Sequence, residues 1–284
     1  MHHAYQTALV TGASSGIGER LARRLAADGC DLVILARRTG RLEALAAELR
    51  GAHRVGVEVL TADLTSPAGL AAAEARLSDP GRPVELLVNN AGFGASGWFA
   101  DVPAGRAEDQ IRLNVTAVVR LTHAALPGML RRGHGGVLNV SSVAGFVPSP
   151  GAATYGATKA FVTSFSESLA AEVKGRGVHV TALCPGFTRT DGPAREAAGP
   201  AALAWLDADQ VARAGLDAVA AGRVLAVPGA QYKSVVSLTR VVPRGPVPGR
   251  PAAGGGLGRR RGRHRRGSLG GGGSAQELRR LVTP

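Results

Sequence analysis

A chain of 284 residues, 45% hydrophobic but only 4% aromatic, has room for one large α/β domain or two small ones, with a core built from Ala, Val and Leu. Its net charge of +13 suggests an anionic partner until it is located: residues 240–284 hold eleven Arg, no Lys and one acid, Glu277, so they carry +10 and leave +3 for residues 1–239. The sequence has no apolar run of bilayer length, and "MHHAYQTALVTG", without a basic segment followed by a long apolar one, is not expected to act as a secretory leader. Cys30 and Cys184 are too few for a disulfide framework, so a reducing cytoplasm is the expected compartment.

Along the chain, "ALV" before Thr11 reads as a short buried strand and "TGASSGIG" as a Gly-rich turn. Ile17, Leu21 and Leu25 then mark one face of a helix that stops at Gly29. "DLVILA" is a second strand, "RLEALAAELR" a helix and "RVGVEVLTAD" a third strand. "SPAGLAAAEARLS" is helical, and "VELLVNNAG" is a fourth strand ending in a polar turn. One long helical region is expected from about Arg106 to Leu126, then a fifth strand in "GGVLNVSS". "TYGATKAFVTSFSESLAAEV" is a long helix, "VHVTALCPG" a sixth strand and "RVLAVPG" a seventh, with a further helix in "AQYKSVVSLTRVV". Strands alternating with helices predict an α/β, doubly wound, Rossmann-like parallel sheet of about seven strands, covered on both faces, in one domain over residues 1–239. Residues 240–284 are rich in Gly, Arg and Pro. They cannot bury enough apolar surface to offset their ordering entropy, so they are expected to be disordered.

Two places carry candidate chemistry. The turn holding Gly12, Ser14, Ser15, Gly16, Ile17 and Gly18 lies between a strand and a helix. There, free N–H groups and the helix dipole suit a pyrophosphate, and glycines permit close approach. The second strand ends in Arg37 and Arg38, where an acid would be needed for the ribose hydroxyl of NAD. Guanidinium matches a 2′-phosphate, so NADP(H) is expected in preference to NAD. Asp63, beside Leu64, either borders the adenine or caps the next helix; the sequence leaves both readings open.

The other place is "YGATK". Tyr155 and Lys159 stand at i and i+4 on one helix face. A lysine cation would lower the phenol pKa toward neutrality, although the pair alone is more often an ordinary helix face. Ser141 and Ser142 end the fifth strand, and Asn89 to Gly92 end the fourth, all on the rim where open α/β sheets bind ligands. Asn114, within "IRLNVTAVV", is either a satisfied core amide or a functional group.

"TGASSGIG", "NNAG", Asn114, "NVSS", "YGATK" and "CPGFTRT" occur in the order of the short-chain dehydrogenase/reductase family, which the chain resembles from about Thr7 to Gly229. Finer features are similar to a bacterial branch of NADP-dependent reductases. The resemblance implies an enzyme that interconverts an alcohol and a ketone or aldehyde. Tyr155 would be the acid/base, Lys159 would hold the nicotinamide ribose, and Ser142 rather than Ser141 would orient the substrate oxygen. Asn114 would hold a proton-relay water. Asn90, Ala91 and Gly92 would line the cofactor groove, Pro185 and Gly186 would pass under the nicotinamide, and Thr188 or Thr190 would hold its carboxamide. Phe93, Trp98, Phe146 and Pro148, with the segment after Gly186, would meet a hydrophobic substrate such as an acyl chain or ring. No metal is implied. A homo-dimer or homo-tetramer is expected through the helices that bear Asn114 and Tyr155. The competing reading is a non-catalytic NADP(H)-binding sensor or scaffold whose basic tail contacts a partner. Against the tail as a nucleic-acid or membrane arm, no aromatic is interleaved with its arginines and no apolar face accompanies them. An inert tail, or a shifted reading frame near Val242, ranks above it.

Overall fold

A computed structural model describes residues 5–95, 97–190 and 205–241. By its contacts the chain divides into Met1–Pro248 and Gly249–Pro284, and every described residue belongs to the first unit. The tail expected at 240–284 lies outside the described residues beyond Val241.

Strands and helices alternate from the start: β1 (Thr7–Thr11), α1 (Gly16–Ala27), β2 (Asp31–Ala36), α2 (Thr39–His53), β3 (Val57–Thr61) and α3 (Pro67–Ser78). β4 (Leu86–Asn89) leads to α4 (Ala104–Ile111) and α5 (Ala117–Arg132), then β5 (Gly135–Val140), α6 (Ala153–Glu172) and β6 (Val178–Leu183). The last described elements are β7 (Thr188–Arg189), β8 (Leu206–Asp207), α7 (Ala208–Ala220), β9 (Leu225–Ala226) and α8 (Ala230–Val241).

Seven strands pair in parallel in the order β3-β2-β1-β4-β5-β6-β9. This is the expected Rossmann-like sheet. The order reverses between β1 and β4, which opens a crevice at the carboxyl ends of those strands. Successive strand side chains point to opposite faces, and both faces are apolar. Val10, Ile34 and Leu138 pack with Leu21, Leu42 and Leu216 from α1, α2 and α7 on one side. Leu9, Val33 and Val137 pack with Leu70, Leu121 and Leu169 from α3, α5 and α6 on the other. Each such leucine, taken fully out of water, contributes roughly 1.5–3 kcal/mol.

Local chemistry fixes the helix starts. Ser66 caps α3, its hydroxyl accepting the Gly69 N–H at 3.1 Å, with Pro67 in the first turn. Asp207 caps α7, accepting the N–H groups of Asp209 and Gln210 at 2.8 and 3.1 Å. α7 was not anticipated. Its signal was present: an acidic cap followed by Val211, Leu216 and Val219, all buried. Arg24 on α1 donates to the Asp209 carboxylate at 2.7 Å and fastens the two helices together.

The long helix expected from Arg106 is two helices joined by a π-turn at Arg112–Thr116. It does not stop before Pro127 but runs to Arg132. Pro127 is exposed, and so is His123, whose carbonyl the proline cannot bond, so water can satisfy it. The seventh strand is shorter than expected, only Leu225–Ala226, and a separate two-stranded pair, β7 with β8, was also not foreseen.

Candidate active site

The glycine turn sits at the crevice between β1 and β4. Gly12 and Gly16 have φ of +68° and +60°, which glycine adopts without strain. A Cβ on Gly12 would stand 2.8 Å from Asn90 Nδ2 and 2.9 Å from Ala91 Cα. A Cβ on Gly18 would collide with Asn90 Nδ2 and the Gly12 carbonyl. Asn90 makes this closeness possible: its Nδ2 donates to the Thr11 carbonyl at 2.9 Å. Thr11 Oγ1 accepts the N–H groups of Asn90 and Ala91, both at 2.9 Å. Thr11 was not singled out from the sequence. It hooks the β4 rim onto the turn and leaves the start of α1 open to the cleft.

Ser14, Ser15, Gly16, Ile17, Arg37 and Arg38 line that end of a cleft of about 820 Å³. Arg38 folds over the turn: its guanidinium donates to Ser14 Oγ at 2.9 Å and to Ser15 Oγ at 2.7 Å. Arg37 is exposed beside it. Asp63 and Leu64 line the cleft too. Asp63 does not cap α3, since Ser66 does. Its carboxylate instead accepts the Thr65 N–H at 2.9 Å and the Thr65 hydroxyl at 2.7 Å. The backbone N–H of Thr65 is the chief reason its pKa falls below the usual carboxylate range, with the Arg37 charge a smaller one.

At the other end, Ser142, Tyr155 and Lys159 line the same cleft, with Asn90, Ala91, Gly92, Pro185, Gly186, Thr188 and Thr190 between the two ends. The adjacent serines have separate fates because strand side chains alternate. Ser141 Oγ turns into α6, donating to the Lys159 carbonyl at 2.7 Å and lying 2.8 Å from Thr163 Oγ1. Ser142 Oγ accepts the Ala144 N–H at 3.1 Å and hydrogen-bonds the Tyr155 hydroxyl.

Lys159 is only 6% exposed. Its Nζ donates to the Val140 carbonyl at 2.7 Å and lies 5.8 Å from the centre of the Tyr155 ring. Burial pushes its pKa down to about 8, with Cys184 pulling it partly back. Burial also holds the Tyr155 pKa above its ordinary value, against the Ser142 hydrogen bond. This corrects the expectation that Lys159 draws the phenol pKa down: Nζ is aimed at a backbone carbonyl, and desolvation of the phenolate is the largest influence on Tyr155. Tyr155 therefore keeps its proton through neutral pH.

Asn114 stands on the π-turn, 1% exposed. Such a turn re-aims side chains within a helix and recurs at functional sites. Its amide is satisfied by protein: Oδ1 accepts the Phe93 N–H at 3.1 Å, and Nδ2 donates to the Phe93 carbonyl at 3.0 Å and to Thr158 Oγ1 at 3.1 Å. It thus pins the loop after β4, whose Gly94 faces the Tyr155 ring. Beneath this rim, Asn89 and Asn139 are register partners on β4 and β5, joined at 2.9 Å.

Of the apolar substrate candidates, Phe93 lines the cleft, but Trp98, Phe146 and Pro148 do not. Trp98 stands on the connection after β4, and Phe146 and Pro148 on the connection after β5. Residues 191–204, expected to meet the substrate, lie outside the described residues. Arg106, Asp109 and Leu113 also line the cleft and were not singled out from the sequence; their i, i+3, i+7 spacing was the available signal. The Arg106 guanidinium lies 4.3 Å from the centre of the Phe93 ring. Among the described residues no group of three or more His, Cys, Asp or Glu could hold a metal. No helix among them is long and apolar enough to cross a membrane.

The fold agrees with the comparisons. Residues 6–199 match the short chain dehydrogenase family. The chain is 42% identical to sulfoacetaldehyde reductase of Chromohalobacter salexigens over 184 residues, 64% of this chain and 72% of that protein. It is 40% identical to serine 3-dehydrogenase of Agrobacterium fabrum over 189 residues, 65% of this chain and 73% of that protein. A solved short-chain dehydrogenase from Sphingobium yanoikuyae, in complex with NADPH, superposes with a TM-score of 0.74 at 39% identity, covering 85% of this chain and 98% of that one. The bulky-bulky ketone specific alcohol dehydrogenase from Comamonas testosteroni gives 0.73 at 36% identity, covering 83% and 92%. The chain belongs to the short-chain dehydrogenase/reductase family of oxidoreductases.

Proposed function

We propose that the chain uses NADP(H) to interconvert a carbonyl compound and its alcohol by hydride transfer. The observation that carries this is one cleft with a glycine turn and two arginines at one end and Ser142, Tyr155 and Lys159 at the other. The cradle suits a dinucleotide, because Gly12 and Gly18 let the turn pack directly against Asn90 and Ala91, where a Cβ would not fit, while Gly12, Ser14, Ser15, Gly16 and Ile17 line the cleft. The turn from Gly12 to Gly18 would hold the pyrophosphate, Arg37 and Arg38 a 2′-phosphate, Asp63 and Leu64 the adenine. Asn90 to Gly92 would flank the ribose, and Pro185, Gly186, Thr188 and Thr190 the nicotinamide. The NADPH complex of the Sphingobium relative supports this choice.

Bound there, the nicotinamide supplies or accepts the hydride at the carbonyl carbon. The residues of the chain handle the proton. In reduction, Tyr155 gives its phenolic proton to the substrate oxygen, and Ser142 orients that oxygen. Lys159, cationic below about pH 8, would hold the nicotinamide ribose at the same end of the cleft. Asn114 contributes by holding the Phe93–Gly94 loop against Tyr155. A panel of aldehydes and ketones with NADPH tests the reading. Tight NADPH binding without turnover on any of them would favour the non-catalytic sensor instead.

Cofactor preference has its own expected result. Arg37→Asp or Arg38→Asp should reduce the preference for NADPH over NADH by about 10- to 100-fold, the worth of charged hydrogen bonds to phosphate. The ratio of kcat/KM values with the two cofactors reads it, and an unchanged ratio removes the phosphate clamp.

The substrate is better placed as a compound with an anionic group than as an acyl chain or ring. Phe93, the one apolar candidate in the cleft, carries a guanidinium on its face, and Arg106 forms no ion pair with any described residue. Two relatives are named for compounds bearing an anionic group, sulfoacetaldehyde and serine. Arg106→Ala should raise KM about tenfold for sulfonated or carboxylated aldehydes but not for neutral ones. An equal rise for both classes would assign Arg106 to packing alone.

A further inference from the structure

We propose that Tyr232, on α8, is a positioning residue for the Pro185–Thr190 segment, and through it for the nicotinamide end of the cofactor; the inference rests on the NADP(H) reading above. Tyr232 is 8% exposed and is not among the residues that line the cleft. It acts on two consecutive residues. A Cβ placed on Gly186 would fall inside the Tyr232 ring, so the hydroxyl end of the ring occupies the space that any other residue at 186 would need. The Tyr232 hydroxyl oxygen also accepts the Phe187 N–H at 3.1 Å.

The remaining ties on this segment come from elsewhere. The Pro185 carbonyl accepts the Val143 N–H at 3.0 Å, and the Phe187 carbonyl accepts the Leu206 N–H at 2.7 Å. These bonds hold the segment along its length. Tyr232 supports it from behind and sets how far Gly186 and Thr188 project into the cleft. Hydride transfer depends steeply on such placement, since a misplacement of about 1 Å costs about 100-fold. α8 thereby becomes part of the redox site although none of its described residues lines it.

The test uses the full-length protein with Tyr232→Phe, Tyr232→Ala, Gly186→Ala and the Gly186→Ala/Tyr232→Ala double variant. NADPH affinity is read by fluorescence titration, kcat and both KM values with an active carbonyl from the panel, and unfolding midpoint by calorimetry. Tyr232→Phe loses one hydrogen bond and should weaken NADPH binding by up to about tenfold. Tyr232→Ala should weaken it by about 10- to 100-fold and lower kcat, while KM for the carbonyl stays at the parent's value. The double variant should bind NADPH better than Gly186→Ala alone, because the ring it would strike is gone. If Tyr232→Ala lowers the unfolding midpoint while NADPH affinity stays at the parent's value, Tyr232 is structural only and the inference fails. Losses that add in the double variant overturn it as well. Should Tyr232→Ala not fold, Tyr232→Phe decides: parental NADPH affinity refutes the role. A parent protein that fails to bind NADPH would refute the cofactor reading instead.

Discussion

Tyr155→Phe should lower carbonyl turnover by about 10²- to 10⁴-fold, the usual worth of a positioned general acid, while the protein still binds NADPH. The substitution keeps the ring, so packing beside Gly94 is retained and the fold should be unperturbed. What disappears is the proton. In the folded protein the phenol is held above its ordinary pKa by burial, with the Ser142 hydrogen bond working in the opposite direction. At neutral pH it is therefore fully protonated, which is the state a donor to a carbonyl oxygen requires. Steady-state rates with the best substrate of the panel, together with an NADPH titration, read the two effects separately. Turnover near the parent's would remove Tyr155 from the mechanism. Loss of NADPH binding along with turnover would mean that the hydroxyl serves the cofactor rather than the proton.

Much of the site was legible because its parts are local. A glycine turn between a strand and a helix, and a Tyr and Lys four apart on one helix, are written within a few residues. The parallel sheet was legible for the same reason, as uninterrupted apolar strands alternating with amphipathic helices. The roles of Ser141 and Ser142 were half legible. Strand alternation says their hydroxyls part company, but which hydroxyl meets Tyr155 depends on the register of β5 against its neighbours. Arg106 and Asp109 were hidden because their relevance depends on how α4 is rotated, and the π-turn at Asn114 alters that rotation. Tyr232 was hidden more deeply, because nothing in the periodicity of α8 points to a glycine in a loop after β6. The direction of the Tyr155 shift was misjudged because the i, i+4 spacing promises proximity, whereas burial is set by the whole rim.

Lys159→Met should abolish activity and yet stabilise the protein by about 2 kcal/mol at pH 7. Free lysine titrates near 10.5, and burial brings Lys159 down to about 8, so below pH 8 the fold carries a desolvated cation. The bond to the Val140 carbonyl recovers part of that cost, and Met forfeits it, which sets the expected gain below the full shift. The sign follows from linkage. Between about pH 8 and 10.5 the unfolded chain binds the proton and the folded chain does not, so the contribution of Lys159 to stability rises with pH across that window. Above 10.5 it is complete, and it is lost as pH falls toward 8. The advantage of Lys159→Met should therefore be largest below pH 8 and shrink steadily toward pH 10.5. Urea unfolding of parent and variant at pH 7 and pH 10 measures the difference, and groups that titrate equally in both proteins cancel. A variant that is less stable at pH 7, or an advantage that does not change with pH, would show that Lys159 is not held as a strained cation. The expected pattern makes Lys159 a residue that the fold keeps at a cost in stability, at a place where its ammonium lines the same cleft as Tyr155 and Ser142.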